Sequence, residues 1–280
     1  MLPSTLGIIG LGAIGGSIAR QAKLAGIPMV LGWSPEPAER VAAAQQGALD
    51  DAPHRARDVA GAVELLVLAA PPAANQQLLE MLAPCLAPST LVTDTGSVKR
   101  SIVSRAEALG LGSRFAGSHP LAGSERRGFE ASRGDLFRGA VVYVTPAAGG
   151  DGAAREIADF WEQVLEAHPV VLDAARHDAQ LAVTSHLPQV LSSLLGTFLS
   201  RHAPPGASFG PGARDATRLA ASDPALWTEI LLMNRDELLP VLRSLEEPLG
   251  ELERTLETGD AGALTAWLGG ASAWRRGLDG

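Results

Sequence analysis

Close to its start the chain carries Gly10-Leu11-Gly12-Ala13-Ile14-Gly15-Gly16, directly after the apolar run Leu6 to Ile9 and directly before the helix-like stretch Ser17 to Ala25. A strand, a glycine-rich turn and a helix in that order leave little choice of fold. The first glycine permits the tight turn, the second lets the backbone approach a pyrophosphate, and the third lets the helix pack close to the strand. The helix N-terminus then points its unpaired N–H groups at the anion. The spacing predicts a dinucleotide site built from Gly10, Gly12, Ala13, Ile14 and Gly15 at the head of a βαβ series.

The series continues along the chain. Met29 to Leu31, Leu65 to Ala69, Leu91 to Thr93, Phe115 to Gly117, Ala140 to Val144 and Val170 to Leu172 read as short buried strands. Helical segments such as Pro37 to Gln46 and Ala153 to Leu165 separate them. Buried strands alternating with helices imply a doubly wound, mainly parallel sheet. After Asp173 the texture turns Leu- and Ala-rich at helical spacing, over Ala174 to His202, Ala225 to Leu245, Leu249 to Thr258 and Ala261 to Trp274. Pro188 and Pro240 are expected to interrupt the first two. The expected architecture is α/β: a Rossmann-type dinucleotide-binding domain over 1–172 and an all-helical domain over 173–280. Apolar helix faces such as Ile230 to Met233 then serve either an intrachain core or a dimer seam.

Composition narrows the function classes. With 280 residues, 46% hydrophobic and 19% charged, the chain has ample core for either one or two domains. A net charge of −8 without a long basic run argues against nucleic acid as a partner, yet leaves room for a small anion held by one or two arginines. The single cysteine, Cys85, sits among Met81, Leu82, Pro84 and Leu86 and reads as a buried structural thiol. The start has no basic region before an apolar stretch, and no apolar run is long enough to span a bilayer, so a cytoplasmic enzyme is expected. A metal is not expected, because no acid stands at ligand spacing from His177 and His186.

NAD(P) is favoured over FAD because a second domain and proton-transfer groups follow the glycine loop. The second strand of such a domain usually ends in an acid that binds the adenosine ribose. Here the run is Gly32-Trp33-Ser34-Pro35-Glu36-Pro37, with Ser34 at that position and Arg40 just downstream. A serine does not repel a 2′-phosphate, which leans the expectation toward NADP. The alternative is that Glu36 takes the ribose contact and NAD is used.

Ligands of an open α/β sheet sit beyond the carboxyl ends of its strands. Ser97, in Thr93-Asp94-Thr95-Gly96-Ser97-Val98-Lys99, falls there at the start of a helix, where it either meets the cofactor or simply caps the helix. His119, in Gly117-Ser118-His119-Pro120-Leu121-Ala122-Gly123, ends the next strand on the same edge. His177, His186 and Gln189 form a polar set at helical spacing. Arg214 and Arg218 stand four apart, as if on one helical face, either gripping a carboxylate or solvated and paired with Asp215.

Taken together and in order, these segments resemble the prephenate/arogenate dehydrogenase family of tyrosine biosynthesis. The matching stretches are the glycine loop, Asp94 to Lys99, Gly117 to Gly128, His177-Asp178, Ser185-His186-Leu187-Pro188, and Thr217-Arg218 through Ser222-Asp223-Pro224 to Trp227. They span nearly the whole chain, and on this reading no stretch is left for a fused mutase or regulatory domain. The resemblance implies a Rossmann domain with a helical dimerisation domain, hence a homodimer. It also implies oxidation of a cyclohexadiene carrying a ring hydroxyl and a ring carboxylate, with loss of carbon dioxide. His119 would accept the hydroxyl proton, with a pKa suited to neutral pH, and Ser97 would orient His119 and the nicotinamide. Arg218 would hold a substrate carboxylate, with His177 and Trp227 nearby. The sequence departs from many prephenate-type members at Gln189, where they have a second histidine, and Glu125 could meet an ammonium group or gate the pocket. Both departures leave prephenate and arogenate open as substrates. Other two-domain nicotinamide enzymes, of the β-hydroxyacid dehydrogenase or imine reductase type, usually carry a catalytic lysine or aspartate in the helical domain. No lysine occurs between Asp173 and Gly280. A non-catalytic dinucleotide-binding protein would not need His119, Ser97 and Arg218 together.

Overall fold

The computed structural model describes residues 2–123 and 126–278, so Glu125 lies outside the described residues. Four parallel strands, β1 (Thr5–Ile9), β2 (Met29–Trp33), β3 (Leu65–Leu68) and β4 (Leu91–Asp94), form one sheet in the order β2-β1-β3-β4. They alternate with helices α1 (Ala13–Leu24), α2 (Pro37–Gln45), α3 (Ala56–Ala60), α4 (Pro72–Leu82) and α5 (Arg100–Ala108). Strand side chains alternate between two cores. Leu65 and Val67 of β3 face the cluster that includes Ile18 and Trp161, while Leu66 and Leu68 face the one that includes Leu79 and Ile102. Each such fully buried side chain contributes about 1.5–3 kcal/mol of burial.

A second sheet follows, with strands β5 (Ala116–Pro120), β6 (Val141–Pro146) and β7 (His168–Val171). A parallel bridge from Val92 to Phe115 joins it to β4. The uniform βαβ expectation fails at one connection: β5 and β6 pair antiparallel, with His119 opposite Tyr143. Among the described residues of that connection only one helical turn forms, Phe129–Ala131, too little for the crossover that a parallel pair needs. A full helix, α6 (Asp151–Gln163), does link β6 to β7, which are parallel.

From Ala174 the described chain is helical: α7 (Ala174–Leu181), a π segment (Ala182–His186), α8 (Leu187–His202), α9 (Pro211–Ala216), a 3-10 turn (Arg218–Ala221), α10 (Pro224–Met233), α11 (Arg235–Arg243), α12 (Glu246–Thr258) and α13 (Ala261–Gly277). The break expected at Pro240 falls at Asn234 instead, and Pro240 lies inside α11. Pro188 does not break the helical run: it is the second residue of α8, directly after the π segment, whose wider turn accommodates a residue without an N–H. Carboxylates from this region dock onto the α/β region. Glu229 accepts from Ala73 N (3.2 Å) at the start of α4, Asp178 reaches the start of α5, and Glu237 pairs with Arg100. In contrast α12 and α13 hold no fully buried residue in the single chain, and Leu249, Leu256, Trp267 and Trp274 stand exposed. Cys85 is half-buried, not enclosed, because it lies in a one-turn helix past the exposed end of α4. No helix among the described residues is long and apolar enough to cross a membrane.

Candidate active site

The glycine loop closes where β1 meets β3, the point at which the strand order reverses. Gly10 has φ of +100°, and a Cβ there would lie 2.6 Å from the Ala69 carbonyl oxygen. A Cβ on Gly15 would lie 1.8 Å from the carbonyl oxygen of Gly10. Only glycine fits either place. Gly12 begins α1 with open space beside it, no capping side chain and no acid in the first turn, so the helix start is left for an anion. At the neighbouring strand end, Asn75 Oδ1 accepts from Ala70 N (3.0 Å), while its buried Nδ2 has no partner among the described residues. The residues present therefore fit a dinucleotide.

At the end of β2, Ser34 is buried and its hydroxyl donates to Glu39 Oε2 (2.5 Å). Arg40 Nη1 donates to the Ser34 carbonyl (2.6 Å). Both groups that favoured NADP in the sequence are thus engaged within the chain. The turn also acquires a carboxylate, from Glu39 rather than Glu36.

His119 is set into the edge by its neighbour. Ser118 Oγ lies 2.7 Å from Thr93 Oγ1 and accepts from Trp161 Nε1 (2.9 Å), and the Ser118 carbonyl accepts from Lys99 Nζ (2.8 Å). Lys99 is completely buried and forms an ion pair with Asp94 at 2.5 Å. Burial raises Asp94 and lowers Lys99, and the attraction between the two offsets part of that shift in each. His119 itself retains 9% exposure. Its Nδ1 lies 2.9 Å from His177 Nε2, and His177 Nδ1 lies 2.7 Å from Asp178 Oδ1. Asp178 also accepts from Lys99 N (2.8 Å) and Arg100 N (2.9 Å).

His177, expected near the cofactor and substrate pocket, is fully buried directly behind His119 with both ring nitrogens engaged. One expectation is corrected by the chain. Ser97 was expected at a helix start, but α5 begins at Arg100 and Asp178, from the helical region, caps it. The half-buried Ser97 side chain has no hydrogen bond among the described residues, which leaves it available to a ligand.

The expected neutral-range pKa of His119 is also corrected. Burial, reinforced by His177, Lys99 and His186, pushes it well below the ordinary histidine value. Burial lowers His177 too, against the pull of Asp178, and lowers His186 to about 4. Burial pushes Asp178 up, but the hydrogen bonds from His177, Lys99 and Arg100 hold it below the usual carboxylate range. The cluster is therefore three neutral imidazoles on one carboxylate.

His186, quoted in the sequence but given no role there, stands beside this cluster. Asn234 Nδ2 donates to His186 Nδ1 (2.9 Å) and to the Asp178 carbonyl (2.8 Å). The proton of His186 is thereby placed on Nε2, which is buried without a partner among the described residues. Trp227 meets the His186 ring edge-on at 6.0 Å. Gln189 turns elsewhere: its Nε2 donates to the Leu219 carbonyl (2.8 Å), tying α8 to the turn that carries Arg218. Arg214 and Arg218 do not share a helical face, because Thr217 ends α9 before the 3-10 turn begins. Among the described residues no group of three or more His, Cys, Asp or Glu is placed to hold a metal.

A doubly wound domain with an open glycine loop, and a neutral histidine on the same sheet edge beneath a helical domain, define a two-domain dinucleotide-dependent dehydrogenase. Residues 18–171 match the family model for the prephenate dehydrogenase nucleotide-binding domain, and residues 173–270 match that for the prephenate dehydrogenase dimerization domain. A cyclohexadienyl dehydrogenase of Zymomonas mobilis is 34% identical over 91% of this chain and 89% of its own. The prephenate dehydrogenase of A. aeolicus, solved with hydroxyphenyl propionate and NAD+, superposes with a TM-score of 0.89 at 28% identity, covering 99% of this chain and 98% of that one. The arogenate dehydrogenase of Synechocystis gives 0.84 at 26% identity, covering 98% and 99%. The chain belongs to the prephenate dehydrogenase family.

Proposed function

We propose that this protein oxidises and decarboxylates prephenate or arogenate with NAD(P) in tyrosine biosynthesis, working as a homodimer in the cytoplasm. The observation that carries the reading is His119: a neutral imidazole with one nitrogen tied into the core and the other free, at the sheet edge that a nicotinamide would share. When bound, the nicotinamide supplies a hydride acceptor. His119 takes the substrate hydroxyl proton as hydride leaves the same ring carbon. Departure of the ring carboxylate as carbon dioxide returns its electrons to the ring, which becomes aromatic, and the new phenolic oxygen recovers the proton from His119. Ser97, unbonded beside the same strand end, orients substrate and base. Arg218 holds a carboxylate, and its place depends on Gln189. His186, with an unpaired buried N–H, offers a donor to the substrate and rests against Trp227. Glu125 acts at the far end of the substrate.

Of the two cofactors we propose NAD. The expectation of NADP drew on Ser34 and Arg40, and both are bonded within the turn that Glu39 has entered. The test is one paired assay, prephenate against arogenate with each cofactor, following reduced nicotinamide by absorbance. Turnover with at least one substrate, and faster with NAD, is expected; no turnover in any combination refutes the activity. The apolar faces of α12 and α13 support the dimer, which sedimentation of the purified protein would test.

A further inference from the structure

Asp178 has a place in the fold that a buried carboxylate rarely has. It comes from the helical region, caps a helix of the α/β region, and stands second in line behind His119. Lys99 N and Arg100 N can only donate, so the carboxylate must accept both bonds at the start of α5. Oδ1 also meets His177 Nδ1 at 2.7 Å. That nitrogen must carry a proton, since a bare ring nitrogen there would set lone pair against lone pair. His177 is neutral, so its Nε2 is bare. It can only accept, and the 2.9 Å contact with His119 Nδ1 requires the proton on His119. The bare nitrogen of His119 is then Nε2.

We propose that Asp178 is the positioning residue of the catalytic base. By accepting from His177 while it caps α5, it fixes the tautomers of both histidines so that His119 presents Nε2 as an acceptor to the substrate hydroxyl. The inference rests on the reading of His119 as base. It adds a condition: the base is set only when the helical region is docked on α5. When His119 takes the proton at Nε2, the positive ring has an acceptor at His177 Nε2 and the Asp178 charge behind it. This is the logic of a carboxylate–histidine pair with one more imidazole inserted. The other charged groups facing the line are Lys99, neutralised by Asp94, and His186, held neutral by burial.

The test has two arms. Nitrogen-15 NMR of histidine-labelled wild-type protein at pH 7 should show Nδ1–H, Nε2-bare rings for His119 and His177, and Nε2–H for His186. A folded Asp178→Asn variant removes the negative charge behind His177 and sets an N–H against at least one of the three donors that the carboxylate accepts, His177, Lys99 N and Arg100 N. Its kcat should fall by about 100-fold or more, with substrate KM and NADH binding by fluorescence changed by less than about threefold. Asp178→Glu should recover part of the rate. Nε2–H on His119 in the wild type, or a folded Asp178→Asn enzyme within about threefold of wild-type kcat, overturns the proposal. The wild-type spectrum needs no substrate and no variant. It therefore decides the tautomers even if the variant does not fold, or if neither prephenate nor arogenate is turned over.

Discussion

Glu39→Gln should change which cofactor the enzyme prefers. Ser34 lies at the carboxyl end of β2, where an adenosine ribose rests in a doubly wound domain, and its hydroxyl holds the Glu39 carboxylate at 2.5 Å. A 2′-phosphate carrying roughly two charges, at about 6 Å from that carboxylate, is repelled by about 1.4 kcal/mol even at the dielectric constant of water. That is about a tenfold discrimination against NADP. Arg40 keeps its bond to the Ser34 carbonyl in both proteins, so its attraction cancels in the comparison. Replacing Glu39 by Gln removes the repulsion and retains the shape. The ratio of kcat/KM for NAD over NADP should therefore fall about tenfold at low ionic strength. The shift should shrink toward 1 M salt, where the screening length is about 3 Å. Direct titration of NADH and NADPH by fluorescence should move in parallel. An unchanged ratio at low salt, or a wild-type enzyme that prefers NADP, would refute the reasoning.

His119→Asn should lower kcat by about 100-fold or more, the usual worth of a general base, with NADH binding retained; an active variant removes His119 from the chemistry. Arg218→Gln should raise the substrate KM by roughly tenfold or more with a smaller change in kcat, as loss of a charged hydrogen bond of about 1.5–3 kcal/mol implies, and an unchanged KM would take Arg218 off the substrate. The acid limb of kcat should fall below the ordinary histidine range, because His119 stays neutral well past that value. Stability carries the same sign. His119, His177 and His186 are all depressed in the fold, so their contribution is present above the unfolded value of about 6.5 and is lost as pH falls through the folded values, about 4 for His186. Melting temperatures measured between pH 7 and pH 4 should fall steadily, and a flat profile would contradict the buried neutral cluster.

The strands, the glycine loop and the change to helices after Asp173 were legible because each is written in adjacent residues. His119 and Ser97 could be placed on one edge for the same reason: strand ends and parallel order fix where a side chain emerges. Partners that come from elsewhere in the fold were not legible. Nothing local in His177-Asp178 says that the aspartate caps a helix 78 residues earlier, or that the histidine turns inward to His119. Glu39 reaches Ser34 only because α2 starts at Pro37 and brings its first turn back over the end of β2. Pro240 misled because a proline argues for a break on its own account. The chain actually breaks at Asn234, whose side chain is committed to His186 and Asp178. The signal for His186 was present, in Ser185-His186-Leu187-Pro188, but its unpaired nitrogen is a property of the packed core.

The π segment Ala182–His186 sets the rotational phase of everything after it. His177 and His186 are nine residues apart, which on an uninterrupted α-helix at about 100° per residue would put them on opposite faces. The wider turn retards that rotation, and both rings are buried. Five residues of π-helix turn about as far as four of α-helix, so one residue added between Ala182 and Ser185 would advance α8 by about 100° relative to α7. Gln189 would swing away from the Leu219 carbonyl and Ser192 from Ala220 N, releasing the turn that carries Arg218. The number of residues in this stretch is therefore a tighter constraint on the enzyme than their identity. Side-chain changes at the exposed Val183 and Thr184 should be tolerated where a single insertion is not.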